Sequence, residues 1–287
     1  MFGYDTIKMY GKSFGRIFLQ DNLGVPIDDE TPNTYTLSEI LETYPMWENC
    51  FVKRVPPNSS SQLFTMFETS DVHPDIIKEM KKFDRVIVPF DYLKEILENQ
   101  GVCVYSLNFF TSELIRNRPK IIPKQRDPTR LVFLYVGTND VRKNVPTLVE
   151  TFIEFSKDTQ HLLIVKTNSP YGLPQDHPNV KVVCNKAPLE HMAALYNMCD
   201  YVISFTRGEG VGMPMLEANY FGKPIISHDQ GVFRDIKDFV KVPWHVLPAQ
   251  EVPIDYNHVP DFLKKVFWGT WWEVDRIKAI ELLKTIT

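Results

Sequence analysis

The sequence predicts an α/β protein with two Rossmann-like β-α-β domains that face each other across a cleft, the N-terminal domain being reduced. Two observations predict this class. From residue 64 onward, short apolar runs alternate with amphipathic stretches, as in chains that form a parallel sheet covered by helices. The alternation forms two series, and three prolines in residues 115–130 between them disfavour both helix and central strand. We therefore expect a first domain at residues 1–122 and a second at residues 123–270.

Each element follows from a local pattern. In the first series, strands are predicted at 63–67, 85–88 and 102–106, with helices at 74–82 and 92–99. In the second series, strands are predicted at 131–136, 162–166, 180–184, 201–205 and 224–227, with helices at 145–155, 189–198 and from Pro214 onward. Because ligands of such sheets bind beyond the carboxyl ends of the strands, we expect the functional site there, in the cleft.

The composition is that of a globular protein. Of its 287 residues 44% are apolar, which is ample for two cores, and a net charge of −4 gives no global attraction to nucleic acid or anionic lipid. No run approaches the roughly 18 to 20 apolar residues of a membrane helix, and the N-terminal stretch lacks a signal pattern. Cys50, Cys103, Cys184 and Cys199 form no C-x-x-C pair, which argues against a zinc site or disulfide framework. We expect a cytoplasmic protein without a transmembrane segment, whose cysteines are reduced and mostly buried.

The proline-rich segment between the two series is also basic. Against a single acid, Asp127, it has six basic residues: Arg116, Arg118, Lys120, Lys124, Arg126 and Arg130. One interpretation is a solvated linker surface, and the other is an electrostatic contact with a polyanionic acceptor. A contact with nucleic acid or with a membrane surface stays open on the same ground.

A glycine-rich loop follows the fourth strand of the second series. Its glycines occupy alternate positions, and Pro214 suits the first turn of the following helix. The residues whose backbone can approach a ligand closely are Gly210, Val211, Gly212 and Met213. The N-terminus of the helix adds unpaired N–H groups and a partial positive charge, so the segment predicts an anion-binding site. The G-x-G-x-G spacing differs from the dinucleotide fingerprint.

Two carboxylates flank this loop. Glu209 precedes the helix and Glu217 lies about one turn inside it, so both can border one cavity. Phosphate repels a carboxylate, whereas the hydroxyls of ribose or a hexose donate to it readily. The pair therefore indicates a nucleoside-diphosphate sugar. The alternative is a helix-capping glutamate and a solvated one.

The run E-G-V-G-M-P-M-L-E-A-N-Y-F-G-K-P-I-I at residues 209–226 resembles the E-x7-E segment of family 4 retaining glycosyltransferases, which have the two-domain GT-B fold. The resemblance implies that Glu209 contacts the transferred sugar and that Glu217 contacts the ribose. Val211 stands where phenylalanine is common in the family, which implies an altered sugar pocket but the same backbone cradle.

A second segment resembles the same family. The run L-Y-V-G-T-N-D-V-R-K-N at residues 134–144 is similar to its strand, glycine turn and R-K-N/G segment, which implies that Lys143 binds the donor diphosphate. Many members have an arginine directly after the turn glycine, where this chain has Thr138. Arg142 could replace that cation, because a guanidinium reaches phosphate in a forked geometry, or the helix N-terminus could suffice. The alternative for Arg142 and Lys143 is ordinary surface charge.

The N-terminal run Y-G-K-S-F-G-R at residues 10–16 resembles the glycine turn with which these enzymes approach the sugar and phosphates from the other domain. Gly11 is the residue expected to line the cleft, the alternative being a plain strand-to-helix turn. The G-K-S sequence is no P-loop, because a P-loop needs glycine five positions earlier, where Thr6 stands.

Residues 64–70, F-T-M-F-E-T-S, resemble the acceptor domain of the family, which often has F-E-T after a strand. Glu68 is thereby placed at the carboxyl end of a strand, facing the cleft. His73 lies on the following loop, where it could polarise the sugar or acceptor. A solvated loop histidine is the alternative.

The run W-G-T-W-W-E-V-D-R-I-K at residues 268–278 resembles the final stretch of the family, whose last helix crosses back to the first domain. The resemblance implies such a helix at residues 271–287. Nearby Trp268, Trp271 and Trp272 could stack on a sugar ring or form an interdomain hydrophobic plug.

The reaction implied by the resemblance is retaining transfer of a hexosyl or pentosyl group from a nucleotide sugar to a hydroxyl acceptor. The acceptor is unknown: a glycan, another polymer and modified DNA all remain open. Lys143 and Glu209 would have catalytic roles, with stabilisation of the departing diphosphate dominating. We expect no metal or other cofactor, since no D-x-D sits at a strand end. A nucleotide-sugar epimerase and a non-catalytic protein that binds sugar or nucleic acid are the competing interpretations.

Overall fold

The structure is a computed structural model that describes residues 34–36, 62–106, 129–185, 188–237, 239–251 and 267–286. The chain divides into two compact units. Unit 1 comprises Met1–Ser112 and Asp255–Gly269, and unit 2 comprises Glu113–Ile254 and Thr270–Thr287. The division between the units therefore lies ten residues before the expected one, and residues 255–269 belong to unit 1 although we expected them in the second domain.

Unit 1 contains a parallel sheet whose described strands have the order β1-β2-β3-β4. Its elements are β1 (Thr34–Thr36), β2 (Gln62–Phe64), α1 (Pro74–Met80), β3 (Arg85–Val88), α2 (Asp91–Glu98) and β4 (Val104–Ser106). The order of elements predicted for the first series is confirmed, although β2 ends three residues earlier than expected. β1 was not predicted. Val86, Val88, Leu93 and Leu97 are fully buried between the sheet and α2, as expected of strands and a helix that form a core.

Unit 2 contains a larger parallel sheet, with the described strands in the order β10-β9-β8-β5-β6-β7. Its elements up to the sheet edge are β5 (Val132–Val136), α3 (Val145–Ser156), β6 (Leu162–Lys166), β7 (Val180–Val183), α4 (Leu189–Met198), β8 (Tyr201–Ile203), α5 (Met213–Tyr220), β9 (Ile225–Ser227) and β10 (Phe239–Lys241). Two further strands, β11 (Trp244–Pro248) and β12 (Thr270–Val274), pair antiparallel, and α6 (Arg276–Leu283) follows. The predicted second series is confirmed, whereas β10, β11 and β12 were not predicted.

The core of unit 2 lies between this sheet and α3. Phe133 on β5 is fully buried and packs edge-on against Phe152 of α3, with ring centroids 5.1 Å apart. The apolar side chains that repeat every three or four residues along α3 are buried: Val145, Leu148, Val149, Phe152 and Phe155. The helical period predicted from these positions is therefore confirmed.

The C-terminal segment differs from the expectation of one helix at residues 271–287 that crosses back to the first domain. Residues 270–274 form strand β12, because aromatic and β-branched side chains favour a strand. The helix begins only after Asp275, whose carboxylate accepts a hydrogen bond from the amide of Lys278 at 3.2 Å. Ala279 and Leu283 of α6 are part of the unit 2 core that α3 also forms. The last helix therefore packs within unit 2.

The two residues just before β12 pack within unit 1. The ring of Trp268 packs edge-on against His73, with centroids 4.7 Å apart. A Cβ on Gly269 would lie 2.9 Å from the amide nitrogen of Asp71, so the two backbones approach closely. These contacts tie Trp268 and Gly269 to the start of α1 and the bend before it.

Two other expectations concern the described residues. No helix among them is long and apolar enough to cross a membrane. Cys199 is buried and Cys103 and Cys184 are exposed, so the expectation of mostly buried cysteines was wrong for these two.

Candidate functional site

The candidate site lies where the chain leaves β5 and β8, two adjacent parallel strands in the middle of the unit 2 sheet. From β5 the chain continues to β6 on one side, and from β8 it continues to β9 on the other. Such a reversal of strand order opens a crevice between the two connections, where ligands of parallel sheets bind. We call residues 137–144 the first loop and residues 204–212 the second loop.

The first loop is shaped by a contact that only glycine permits. A Cβ on Gly137 would lie 2.5 Å from the hydroxyl oxygen of Tyr135, which donates to the carbonyl of Thr138 at 3.0 Å. Asp140 then accepts hydrogen bonds from the hydroxyl of Thr138 at 2.5 Å and from the amide of Lys143 at 2.9 Å. Thr138, which replaces the arginine of the resembled family, is therefore occupied in shaping the loop.

The first loop ends in a left-handed residue. Asn144 has φ 54° and directly precedes α3, and asparagine tolerates this conformation better than most residues. Its side-chain amide donates to Glu273 on β12 at 2.8 Å. The left-handed conformation at Asn144 turns the chain from the first loop into α3, directly after Lys143.

The second loop ends at Gly212, which is the N-cap of α5 and has φ 69°. The amides of Met215 and Leu216 donate to the carbonyl of Gly212 at 2.9 and 3.2 Å. The N–H groups of Gly212 and Met213 therefore precede the first hydrogen bond of the helix, and such groups can bind an anion. The side chain of Val211 is buried.

Gly212 is required for two separate reasons, which a pair of variants can distinguish. A Cβ at Gly212 would lie 2.8 Å from the ring of Phe233, whereas Gly222, with φ 65°, has open space around it. Gly222→Ala should cost about 1 kcal/mol of unfolding free energy from the left-handed backbone alone. Gly212→Ala should cost about 2–4 kcal/mol, since the clash adds to the same strain. Urea unfolding measures both variants, and equal losses would contradict the role of the Phe233 contact.

Three charged side chains from the two loops form an ion cluster. The ammonium of Lys143 donates a short hydrogen bond to Oε1 of Glu209, and the guanidinium of Arg142 lies 3.4 Å from Oε2. All three side chains are largely buried, with exposed fractions of 11%, 12% and 9% for Lys143, Arg142 and Glu209. The sequence-predicted catalytic pair and the second predicted cation are therefore brought together.

The charges in this cluster determine the ionisation of Glu209. Burial alone would raise the pKa of this carboxyl, but the ammonium of Lys143 and the guanidinium of Arg142 outweigh it and hold the pKa below its usual range. Glu209 is therefore ionised at neutral pH. Its lowered pKa stabilises the fold at pH values above the pKa of the unfolded chain, and this stabilisation is lost as the pH falls through the pKa of the folded state.

Backbone contacts hold the two loops side by side. The guanidinium of Arg142 donates to the carbonyl of Gly208 at 2.6 Å, and the amide of Arg207 donates to the carbonyl of Arg142 at 2.7 Å. The hydroxyl of Thr206 also donates to Gly208, at 3.0 Å. The first two bonds join residues about 66 positions apart in the chain, whereas the bond from Thr206 lies within the second loop.

Glu217 lies in α5 and is only partly buried, and it belongs to a different pair. Its Oε2 accepts a hydrogen bond from the buried hydroxyl of Tyr196 at 2.6 Å. Burial raises the pKa of Glu217 to about 7, and the hydrogen bond from Tyr196 opposes that rise. Unlike Glu209, Glu217 thus changes charge near neutral pH.

Sequence reasoning missed a buried histidine behind the second loop. The Nδ1 atom of His228 accepts from the amide of Gln230 at 3.1 Å, so Nε2 carries the proton and donates to the carbonyl of Thr206 at 2.8 Å. Burial lowers the pKa of His228 to about 4, and its ring packs between Phe233 and Trp272. A neutral histidine of fixed tautomer therefore supports the second loop. No sequence motif indicates this role of His228.

Sequence reasoning also missed Arg207 and Glu273. The Nε of Arg207 donates a short hydrogen bond to Glu273, and its Nη1 donates to the carbonyl of Val141. The arginine stands in the glycine-rich segment and could have been considered. Glu273 could not, because the strand that carries it was not predicted.

Two further predicted residues, His73 and Glu68, belong to unit 1. His73 is the N-cap of α1, and its Nδ1 accepts from the amide of Asp75 at 3.1 Å. Glu68 lies in the bend after β2 of unit 1. Gly11 and the basic segment before residue 129 lie outside the described residues. Trp271 and Trp272 are buried in unit 2, so their predicted role in stacking on a sugar is replaced by packing.

The region that forms both loops matches a known protein family. Residues 130–248 match the model of the family Glycosyl transferases group 1. The matched region includes the ion cluster, Gly212 and Glu217. The similarity to glycosyltransferases predicted from the sequence is confirmed for this region, whereas assignment to family 4 stays a prediction.

A curated relative agrees with the family match. Uncharacterized glycosyltransferase 335 of Sulfolobus islandicus rod-shaped virus 1 is 22% identical over an alignment of 195 residues that covers 63% of this chain and 54% of the relative. The chain thus spans about half the length of that relative.

Solved structures show the same fold. The alpha,alpha-trehalose 6-phosphate synthase of Burkholderia multivorans has a TM-score of 0.51 at 10% identity, covering 79% of this chain and 57% of its own. The UDP-forming alpha,alpha-trehalose-phosphate synthase of Burkholderia xenovorans, solved with glucose-6-phosphate, has a TM-score of 0.50 at 8% identity, covering 64% and 58%. The predicted α/β class with Rossmann-like parallel sheets of the GT-B type is confirmed.

The described residues include candidate metal ligands, but these side chains are not grouped. None of their histidine, cysteine, aspartate and glutamate side chains form a group of three that could hold a metal ion. In the candidate site the carboxylate of Glu209 is already paired with two cations. The expectation of a metal-free reaction stays a prediction.

Proposed function

We propose that this protein is a glycosyltransferase that moves a sugar from a nucleoside-diphosphate sugar to a hydroxyl acceptor, with retention of anomeric configuration. The observation that carries the proposal is the ion cluster of Lys143, Arg142 and Glu209. It joins the two loops at the strand-order reversal of unit 2, within the region that matches a glycosyltransferase family.

The donor contacts follow from the chemistry of each group. The two cations and the N–H groups of Gly212 and Met213 suit a diphosphate, since both offer positive charge to an anion. Glu209 is ionised and accepts hydrogen bonds from sugar hydroxyls, and Glu217 accepts them from the ribose. Donor binding therefore requires Lys143 and Arg142 to exchange the carboxylate of Glu209 for phosphate oxygens.

In the proposed reaction, the bond between the anomeric carbon and the phosphate oxygen breaks, and its electron pair goes to the departing diphosphate. Lys143 and Arg142 stabilise the negative charge that builds there. The acceptor oxygen forms the new bond on the same face of the sugar and gives its proton to the departing phosphate. Glu209 is paired with both cations, which suits a binding role better than attack on the anomeric carbon.

The test is a screen of common nucleotide sugars that measures nucleotide release with and without hydroxyl acceptors. Release that depends on an acceptor, and a product with retained configuration by NMR, are the expected results. Release of nucleotide together with an epimerised sugar in the absence of acceptor would instead favour an epimerase. Donor binding without any turnover across the screen would favour a non-catalytic sugar-binding protein.

The raised pKa of Glu217 predicts that the affinity for the donor depends on pH. Its pKa of about 7 means that it is mostly neutral at pH 6 and mostly ionised at pH 8. If only the ionised carboxylate accepts both ribose hydroxyls, a nucleotide sugar should bind about tenfold more weakly at pH 6 than at pH 8. Calorimetric titration of an intact nucleotide sugar measures this dependence.

Two variants check that the titrating group is Glu217. Glu217→Gln should bind weakly at both pH values, with the dependence abolished. Tyr196→Phe removes the hydrogen bond that lowers the pKa of Glu217, so its midpoint should move to higher pH. A pH profile that both substitutions leave in place would assign the titration to another group.

A further inference from the structure

A second carboxylate joins the two loops without belonging to the ion cluster. Glu273 on β12 accepts two hydrogen bonds. One of its oxygens accepts from Nε of Arg207, and the other accepts from the side-chain amide of Asn144 at 2.8 Å. Its side chain is only 16% exposed. We propose that Glu273 is a positioning residue that holds the first and second loops in the relative position that donor binding needs. This inference rests on the proposed function.

On the side of the first loop, Glu273 acts through Asn144. Asn144 has a left-handed backbone that costs free energy in most residues, and its side-chain hydrogen bond to Glu273 offsets this cost. Lys143 directly precedes it and points to Glu209. The anchor on β12 therefore determines where the ammonium of Lys143 lies.

On the side of the second loop, Glu273 acts through Arg207. That residue makes three further contacts: Nη1 donates to the carbonyl of Val141, its amide donates to Arg142 at 2.7 Å, and its carbonyl accepts from the amide of Trp272 at 2.9 Å. The guanidinium is thus oriented by a carboxylate and ties the second loop to the first loop and to β12. Bonds of this kind between ionised groups are stronger than neutral ones.

The two carboxylates differ in what happens when the donor binds. Lys143 and Arg142 have to leave Glu209 to reach phosphate oxygens, so the ionic link between the loops through Glu209 is lost at that moment. The links through Glu273 involve none of the groups assigned to the donor. They therefore persist, and they keep the loops together while the cations exchange partners.

A reciprocal swap tests this role. Glu273→Gln leaves one accepting oxygen, so either Arg207 or Asn144 loses its acceptor, and Asn144→Asp places two carboxylates side by side. Each single variant should lower kcat/KM for the nucleotide sugar about tenfold, as expected for loss of a charge-assisted hydrogen bond. The double variant should recover to within about threefold of the wild type, because the glutamine amide can donate to the new aspartate.

A second measurement needs no donor and separates this proposal from the proposed function. The pKa of Glu209, followed by carboxyl ¹³C NMR, should rise in each single variant, because Lys143 and Arg142 are no longer held beside it, and should return in the double variant. Glu281→Gln, an exposed carboxylate on α6, is the matched control and should change neither quantity.

The outcomes are distinguishable. If the wild type turns over no nucleotide sugar, the proposed function fails, while the pKa of Glu209 still tests the positioning role. If the single variants only lower the melting temperature and leave both kcat/KM and the pKa of Glu209 unchanged, the positioning role is refuted.

Discussion

Replacing Lys143 with alanine is expected to lower kcat for glycosyl transfer about 100- to 1,000-fold. The ammonium lies at the junction of the two loops, in a largely buried cluster where a fixed charge acts strongly on charge that develops during the reaction. The loss should appear mainly in kcat, since most of the negative charge on the diphosphate oxygen builds up as the bond breaks. Steady-state kinetics with the donor identified in the screen measures it.

A second buried lysine in the same unit provides the control. Lys223 donates to the carbonyls of Asn197 and Cys199 at 3.1 and 2.9 Å, at the C-terminal end of α4. Lys223→Ala should lower the melting temperature but leave kcat of the folded protein nearly unchanged. If Lys143→Ala behaved in the same way, Lys143 would be a structural residue like Lys223.

The second large effect is expected from Glu209→Gln, which leaves two largely buried cations without a counter-charge. Breaking a buried pair in this way costs about 3 kcal/mol or more of unfolding free energy. The opposite effect is expected on the affinity for a nucleoside diphosphate without sugar, which should rise because Lys143 and Arg142 no longer have to leave a carboxylate. Turnover should fall because the sugar contact is lost. Chemical unfolding, calorimetry and kinetics measure the three quantities.

An exposed ion pair serves as the comparison. Glu150 pairs with Arg276 at 3.2 Å on the surface of unit 2 and is 63% exposed. Glu150→Gln should cost less than about 1 kcal/mol of unfolding free energy, because solvent screens such pairs.

Weaker binding of the nucleoside diphosphate to Glu209→Gln would contradict the exchange of partners that the proposed function requires.

Most of the sheet and half of the site could be predicted from the sequence. The strands of both series are apolar runs, and the helical period of α3 is visible at Val145, Leu148 and Phe152. Glu209 and Gly212 share a short segment whose residue types have a clear chemical meaning. Lys143 was assigned by resemblance, and the structure places it beside Glu209.

The rest depends on contacts between distant parts of the chain. Glu273 and Asn144 are 129 positions apart, and no local pattern relates them. β12 is a five-residue strand, and residues 249–269 separate it in the chain from its partner β11. No local sequence pattern therefore indicates that the two strands pair. Asp275 was the one local signal that the last helix begins at residue 276, because aspartate is a preferred N-cap.

The position of β5 beside β8 has a consequence for how the protein folds. Lys143 and Glu209 are 66 residues apart, and α3, β6, β7 and α4 all lie between them. Pairing of β5 with β6 closes a short connection, whereas pairing with β8 closes a long one, which is costlier in chain entropy and slower. During refolding, affinity for nucleotide is therefore expected to return only when the central strand docks, later than most of the helical signal.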